Sequence, residues 1–218
     1  AAFTEVSLEL SQIIPLFRDD PAAFRRETTA IHAAYLERSA AEAQAGAKII
    51  LWPEGTGIGV PEDVDALVEQ GRALARAEGV YLAMPVFYMF PDSERVPENR
   101  LLIADPAGEI VLNHVKYGGN EFEGTLRGDG ILQTVETPYG TLSGVICWDT
   151  DFPTVVRHAG QQGVDILLSP AHDWEAIDPL HGQMTAFRAA ENGMTVIRLA
   201  DQGFSVVTDP YGRTLAAG

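Results

Sequence analysis

The sequence predicts an α/β protein in which a mixed sheet, or two sheets packed together, carries helices on the outside. Three observations lead there. Apolar runs of strand length alternate with segments of helical periodicity along the chain. Two hairpin turns, Pro106-Ala107-Gly108-Glu109 and Thr137-Pro138-Tyr139-Gly140, sit among those units and argue against a purely parallel sheet. The composition, 46% hydrophobic and 21% charged over 218 residues, is that of a globular chain able to bury a core without disulfides.

Each element has its own signal. Ala1-Ala2-Phe3-Thr4-Glu5-Val6 reads as a strand entered midway. A helix follows over 21–45, with Asp20 as cap, Pro21 at its first position, Gly46 as its stop, and Phe24, Ile31, Ala34 and Tyr35 on one face. Lys48-Ile49-Ile50-Leu51-Trp52 is a short buried strand ending at Pro53-Glu54-Gly55. Gly55, Gly57 and Gly59 lack the lysine and spacing of a phosphate loop and read as a flexible loop. A second helix over 61–78 turns Val64, Leu67, Val68, Leu74 and Ala75 inward and breaks at Gly79; a strand over 80–88 and a polar loop over 91–97 follow. Strands over 99–105 and 110–117 make the first hairpin, 118–130 a glycine-rich loop, and strands over 132–136 and 141–147 the second hairpin. The remainder alternates again: helix 153–162, strand 165–169, helix 181–192, then strands 195–200 and 204–208. Leu215-Ala216-Ala217-Gly218 stops just after a turn, so both ends look cut.

Charge excludes some partners. At −16, with Lys48 and Lys116 the only lysines, the chain has no field to attract phosphate backbones, so no nucleic-acid partner is expected. It also lacks a polybasic patch for anionic lipid. No run of about 18 apolar residues is present to span a bilayer, and no signal peptide is expected within these residues. The single cysteine leaves no intrachain disulfide to form.

Glu54, Lys116 and Cys147 each close an apolar strand, where a rigid sheet holds a side chain while loops build a cleft around it. Taken singly, each has a plainer reading: a small core thiol, a turn carboxylate, an edge-strand charge. Their surroundings change that. Ile50-Leu51-Trp52-Pro53-Glu54, His114-Val115-Lys116 and Gly144-Val145-Ile146-Cys147-Trp148-Asp149-Thr150-Asp151-Phe152-Pro153 resemble the glutamate, lysine and nucleophile motifs of the nitrilase (carbon–nitrogen hydrolase) superfamily, in its order. Beyond the cysteine, Ser169-Pro170-Ala171-His172-Asp173-Trp174, His181-Gly182-Gln183-Met184, Phe187-Arg188-Ala189-Ala190-Glu191-Asn192-Gly193 and Asp209-Pro210-Tyr211-Gly212-Arg213 are similar to its apolipoprotein N-acyltransferase branch.

The resemblance implies a four-layer α-β-β-α sandwich of two mixed sheets flanked by helices. It implies one carbon–nitrogen hydrolase domain over 1–218, lacking part of its first strand and its last strands. Cys147 would be the nucleophile, Glu54 its general base and later acid, and Lys116 the oxyanion stabiliser, aided by the N–H of Trp148. The family's accessory glutamate a few residues past the lysine falls to Glu123 or Glu121, with Glu123 preferred. Neither spacing fits well, and the acyltransferase's proline-rich segment is missing, which leaves the substrate open. Trp174 and Phe122 are candidate walls of an acyl pocket, although aromatics are more often core. His172, His181 and Asp173 lack paired ligand spacing, so neither metal nor cofactor is expected.

The activity implied is acyl transfer through a thioester, from a phospholipid donor to an N-terminal amine. It would occur at the outer face of a bacterial cytoplasmic membrane, with a tether outside this chain. The alternative is a soluble cytoplasmic amidase taking a small amide donor and a water acceptor. A non-catalytic nitrilase-like binding module is the third reading, against which retention of all three residues argues.

Overall fold

The structure, a computed structural model, describes residues 10–92, 94–174, 177 and 179–218. Helices α1 (Leu10–Asp19) and α2 (Pro21–Gln44) come first, then β1 (Ile49–Leu51), β2 (Gly57–Gly59), α3 (Pro61–Glu78), β3 (Tyr81–Tyr88), β4 (Glu98–Ala104) and β5 (Ile110–Val115). A single helical turn, α4 (Asn120–Glu123), precedes β6 (Val135–Thr137) and β7 (Gly140–Gly144). After a 3₁₀ turn at Cys147–Asp151 come α5 (Pro153–Gln161), β8 (Ile166–His172), α6 (Leu180–Asn192), β9 (Thr195–Asp201), β10 (Val206–Thr208) and β11 (Thr214–Ala217).

Local sequence sets the helix ends. Pro21 opens α2 with its φ already helical, and the Asp20 carboxylate accepts from Ala23 N at 3.0 Å. Gly79 closes α3 in the left-handed region at φ 65°. Among the described residues the strands form two mixed sheets. The first runs β1-β3-β4-β5, with β2 also beside β3; β1 and β2 lie parallel to β3, while β3, β4 and β5 are antiparallel. The second runs β11-β10-β9-β8-β7-β6, parallel only across β7, β8 and β9.

Strand periodicity then builds the layers. Along β3 and β4, Tyr81, Ala83, Leu101 and Ile103 face the second sheet, packing against Leu142, Leu168 and Ala200. The intervening Leu82, Met84, Leu102 and Ala104 face helices α2 and α3, against Phe24, Ile31, Val64 and Leu67. On the far side, Val155, Val156 and Ala189 of α5 and α6 cover Leu167 and Val196. The result is a four-layer α-β-β-α sandwich of two mixed sheets flanked by helices.

Several local expectations are corrected. Helix α1 was not foreseen, because Pro15 stands inside it; buried Ile13, packed with the α2 side of the core, holds it in place. Ala34 is exposed at the edge of the α2 stripe, unlike Phe24, Ile31 and Tyr35. The glycine run after Glu54 is no flexible loop: Gly57–Gly59 is the buried strand β2, and a Cβ on Gly57 would stand 2.6 Å from Pro85 O. The strand expected over 132–136 is shifted to β6, and the end of the chain after the turn at Gly212 pairs as β11 with β10. The strand expected at Ala1-Val6 lies outside the described residues.

Leu101 is fully buried between the sheets and fills the space above Gly144. Leu101→Ala should therefore destabilise the fold by about 2–5 kcal/mol, read as a lower urea midpoint at unchanged slope.

Candidate active site

Glu54 follows β1 by three residues, past Trp52, whose indole donates to Ser39 Oγ at 2.8 Å and anchors the strand end to α2. Its backbone N–H reaches Ala171 O in the second sheet at 3.3 Å, and its carboxylate accepts from His172 N at 3.0 Å and from Asn99 Nδ2 at 2.7 Å. Lys116 lies just past β5, its N–H donating to Asn99 O at 2.9 Å. The ammonium is fully buried; it donates to Glu54 Oε1 at 2.7 Å and to Glu123 Oε1. Burial opposes its charge, yet Glu54, Cys147 and Glu123 outweigh burial and hold its pKa above the ordinary lysine value. Burial pushes Glu123 up, against the pull of Lys116.

Cys147 is correspondingly buried. It was expected to end a strand, but β7 stops at Gly144, and Cys147 opens the 3₁₀ turn instead with φ 44°. A non-glycine residue in the left-handed region is strained, so the surroundings must hold it there. Asp149 does much of the holding. Its buried carboxylate accepts from Ile146 N at 2.8 Å, Tyr117 N at 2.9 Å and Gly118 N at 2.7 Å, and pairs with His114 Nε2 at 2.7 Å. One side chain thereby locks the lysine strand end to the cysteine turn. The thiol lies 3.8 Å from His172 O and 3.9 Å from Asp173 Oδ1. Burial and Glu54 push its pKa up, while His181, Lys116 and Arg198 pull it down.

The structure thus brings Glu54, Lys116 and Glu123 into one bonded chain beside Cys147, and leaves Glu121 exposed outside it. The loop that carries Glu123 contains the helical turn α4. Gly119 precedes that turn at φ 79°, where a Cβ would lie 2.3 Å from the Trp148 ring. Trp148 is half-buried and packs edge-on against both Phe122 and Trp174, at centroid distances of 5.5 and 5.9 Å. Phe122 and Trp174 are exposed rather than core. A cavity of about 400 Å³ lies beside this group, lined by Tyr117, Glu121, Phe122, Arg127, Trp148 and Phe152 among others.

Sequence reasoning missed Asn99, Asp149 and Arg198. Arg198 could have been found from alternation along β9, which puts it on the buried face with Val196 and Ala200. His181 and Asp173 were weighed only as metal ligands. Their atoms and the Cys147 sulfur all lie within 4.8 Å of one another, a spacing that would accept a cation. Arg198 Nη2 already donates to both Asp173 oxygens, at 2.8 and 2.7 Å, and supplies the positive charge there. Asp149→Asn places an amide N–H₂ against backbone N–H donors and should cost about 1–3 kcal/mol in urea unfolding, with no gain in thermal midpoint at any pH.

The sequence profile of the carbon-nitrogen hydrolase family matches residues 13–218. The apolipoprotein N-acyltransferase of Agrobacterium fabrum is 30% identical over 221 residues, a match spanning 85% of this chain and 41% of that protein. The Brucella melitensis apolipoprotein N-acyltransferase is 29% identical over 206 residues, spanning 81% of this chain and 38% of its own length. The chain thus spans about two fifths of the length of these acyltransferases. Among solved structures, an amidase from Nesterenkonia sp. superposes with a TM-score of 0.75 at 26% identity, over 88% of this chain and 80% of the amidase. No helix among the described residues is long and apolar enough to cross a membrane. With Cys147 in a catalytic-like arrangement, and with acyltransferases and amidases among its relatives, this chain is an enzyme of the carbon–nitrogen hydrolase family, in the nitrilase superfamily.

Proposed function

We propose that this chain catalyses acyl transfer through a thioester on Cys147, from a lipid-type ester donor to an amine. The observation that carries the chemistry is the mutually bonded chain of buried Glu54, buried Lys116 and the more exposed Glu123 beside a strained, buried thiol. Glu54 takes the thiol proton, and the sulfur attacks the donor's carbonyl carbon. The carbonyl π pair moves to oxygen, where Lys116 and the N–H of Trp148 stabilise the charge. Collapse breaks the bond to the leaving group, which takes the proton from Glu54, and the acyl group remains on sulfur. An amine then attacks the thioester, Glu54 accepts its proton, and the departing thiolate recovers it.

The aromatic cavity supports a lipid-type donor. Its size is in the range of small-molecule sites, and Phe122, Leu126 and Ile131 stand exposed around the segment that forms it. Solvated apolar side chains grouped at a cleft favour an apolar ligand. In this reading the enzyme works at the outer face of a bacterial cytoplasmic membrane, with its tether outside this chain and one carbon–nitrogen hydrolase domain within it. A second reading, hydrolysis of a small amide by water, is supported by the likeness to the Nesterenkonia amidase.

Intact mass after incubation with p-nitrophenyl esters should show one acyl adduct, absent in Cys147→Ala. Glu54→Gln and Lys116→Met should lower its rate by about 10²–10⁴-fold. An undiminished adduct on the alanine variant would remove Cys147 from the chemistry. Acyl-chain length separates the two readings. Lipid transfer requires faster acylation by long-chain than by short-chain esters, with Phe122→Ala cutting that ratio by about tenfold through lost apolar contact. Release of ammonia from small amides, with no chain-length preference, would favour the amidase.

A further inference from the structure

A second group of charged side chains surrounds Cys147, none of them bonded to Lys116 among the described residues. Asp173 follows the tip of β8 and is buried; both its oxygens accept from Arg198 Nη2, and Oδ1 pairs with His181 Nδ1 at 2.9 Å. His181, in the first turn of α6, is buried too, with Nε2 3.4 Å from the Asp151 carboxylate. Arg198, in β9, is buried, and its Nε and Nη1 have no hydrogen-bond partner among the described residues. The sulfur is within 4.8 Å of Asp173 and His181 atoms.

Such an assembly is costly unless it serves something. Three ionised groups have been taken from water, and two nitrogens of one guanidinium have no acceptor among the described residues. The three buried groups carry one net positive charge beside the sulfur, and the balancing Asp151 carboxylate, partly exposed, lies against His181 Nε2.

We propose that His181 and Arg198, oriented by Asp173, form a cationic clamp that stabilises the thiolate of Cys147 between loss of its proton and formation of the carbon–sulfur bond. This rests on Cys147 being the nucleophile, as above. Glu54 remains the proton acceptor, and the clamp holds the charge that transfer leaves behind. Both ring nitrogens of His181 face carboxylates, Nδ1 that of Asp173 at 2.9 Å and Nε2 that of Asp151 at 3.4 Å, which favours the doubly protonated ring; burial opposes that charge, but Asp151, Asp173 and Cys147 raise its pKa to about 11. It therefore acts as a fixed cation and not as a base. Other charged groups that bear on the sulfur are Glu54 after β1 and Lys116 after β5, with Glu123 behind Lys116 and Asp151 behind His181. Glu54 raises the thiol pKa; His181, Lys116 and Arg198 lower it. Removing either clamp cation must move the thiol titration to higher pH, while removing Glu54 must move it lower.

The test is the pH profile of Cys147 alkylation by iodoacetamide, followed by intact mass from pH 5.5 to 10, on the full chain. In His181→Gln and Arg198→Gln the profile should shift upward by about one pH unit, a tenfold lower rate at pH 7, with the high-pH plateau kept within about threefold. Glu54→Gln should shift it downward. A variant that unfolds would instead expose its thiol and alkylate faster than wild type at pH 7. A measurement on wild type needs no variant: alkylating Cys147 removes the thiolate, so ¹⁵N-histidine ring spectra should show His181 titrating at lower pH afterwards. Coincident alkylation profiles in folded variants, or a His181 titration unmoved by alkylation, would overturn the clamp and leave the thioester reading standing. A wild-type thiol inert at every pH would overturn both.

Discussion

An ammonium group with no access to water dictates the layout of this site. Lys116 is fully buried beside the sheets' common face, and an isolated cation there would cost several kcal/mol. It is tolerated because Glu54 and Glu123 both accept from it. Those carboxylates in turn need partners. Asn99 and the backbone of His172 hold Glu54, which ties β4 of the first sheet to β8 of the second. The face-to-face stacking of the sheets is therefore more than a way to bury Leu101 and Leu168. It brings a carboxylate from one sheet within reach of a backbone donor from the other, and neither sheet alone could satisfy the group.

The tip of β8 joins this network to the second one. His172 donates its N–H to Glu54, and the next residue, Asp173, gathers His181 and Arg198. Consecutive residues past a strand end point in different directions, so one strand serves both assemblies. The cysteine turn lies between them and is locked by Asp149 to the strand end that carries Lys116. Strain at φ 44° persists only where the surroundings over-determine it, and four contacts to one carboxylate supply that.

Much of this was legible in the sequence because apolar runs stop where chemistry begins. Glu54 and Lys116 each follow such a run; the alternation of helix and hairpin anticipated a mixed sheet, or two packed together, with helices outside, and the family resemblance implied the two-sheet sandwich. The rest was hidden for identifiable reasons. The glycines of β2 read as a loop, since sequence does not show that Pro85 O needs room beside them. Asp149 satisfies three N–H groups from two segments, a role that no spacing records. Arg198 reads as a solvated charge until strand parity is taken literally. His181 gains its meaning only when α6 is docked against the cysteine turn.

The charge distribution follows the same logic as the chemistry proposed. The chain has 15 lysines and arginines against 31 acidic residues, yet two of those scarce cations, Lys116 and Arg198, are buried beside one sulfur. The anions formed in thioester chemistry, a thiolate and then an oxyanion, arise where the cations are concentrated and water is excluded, so each cation acts at a lower effective dielectric. The exterior carries the opposite sign. An acidic surface repels anions and raises the local concentration of cationic amines. In the proposed reaction, a protonated amine drawn by that field must lose its proton before it can attack, and Glu54 is the group assigned to that exchange. The two fields thus divide the work: the outer one suits the acceptor proposed here, and the inner one suits the intermediate that the acceptor must meet.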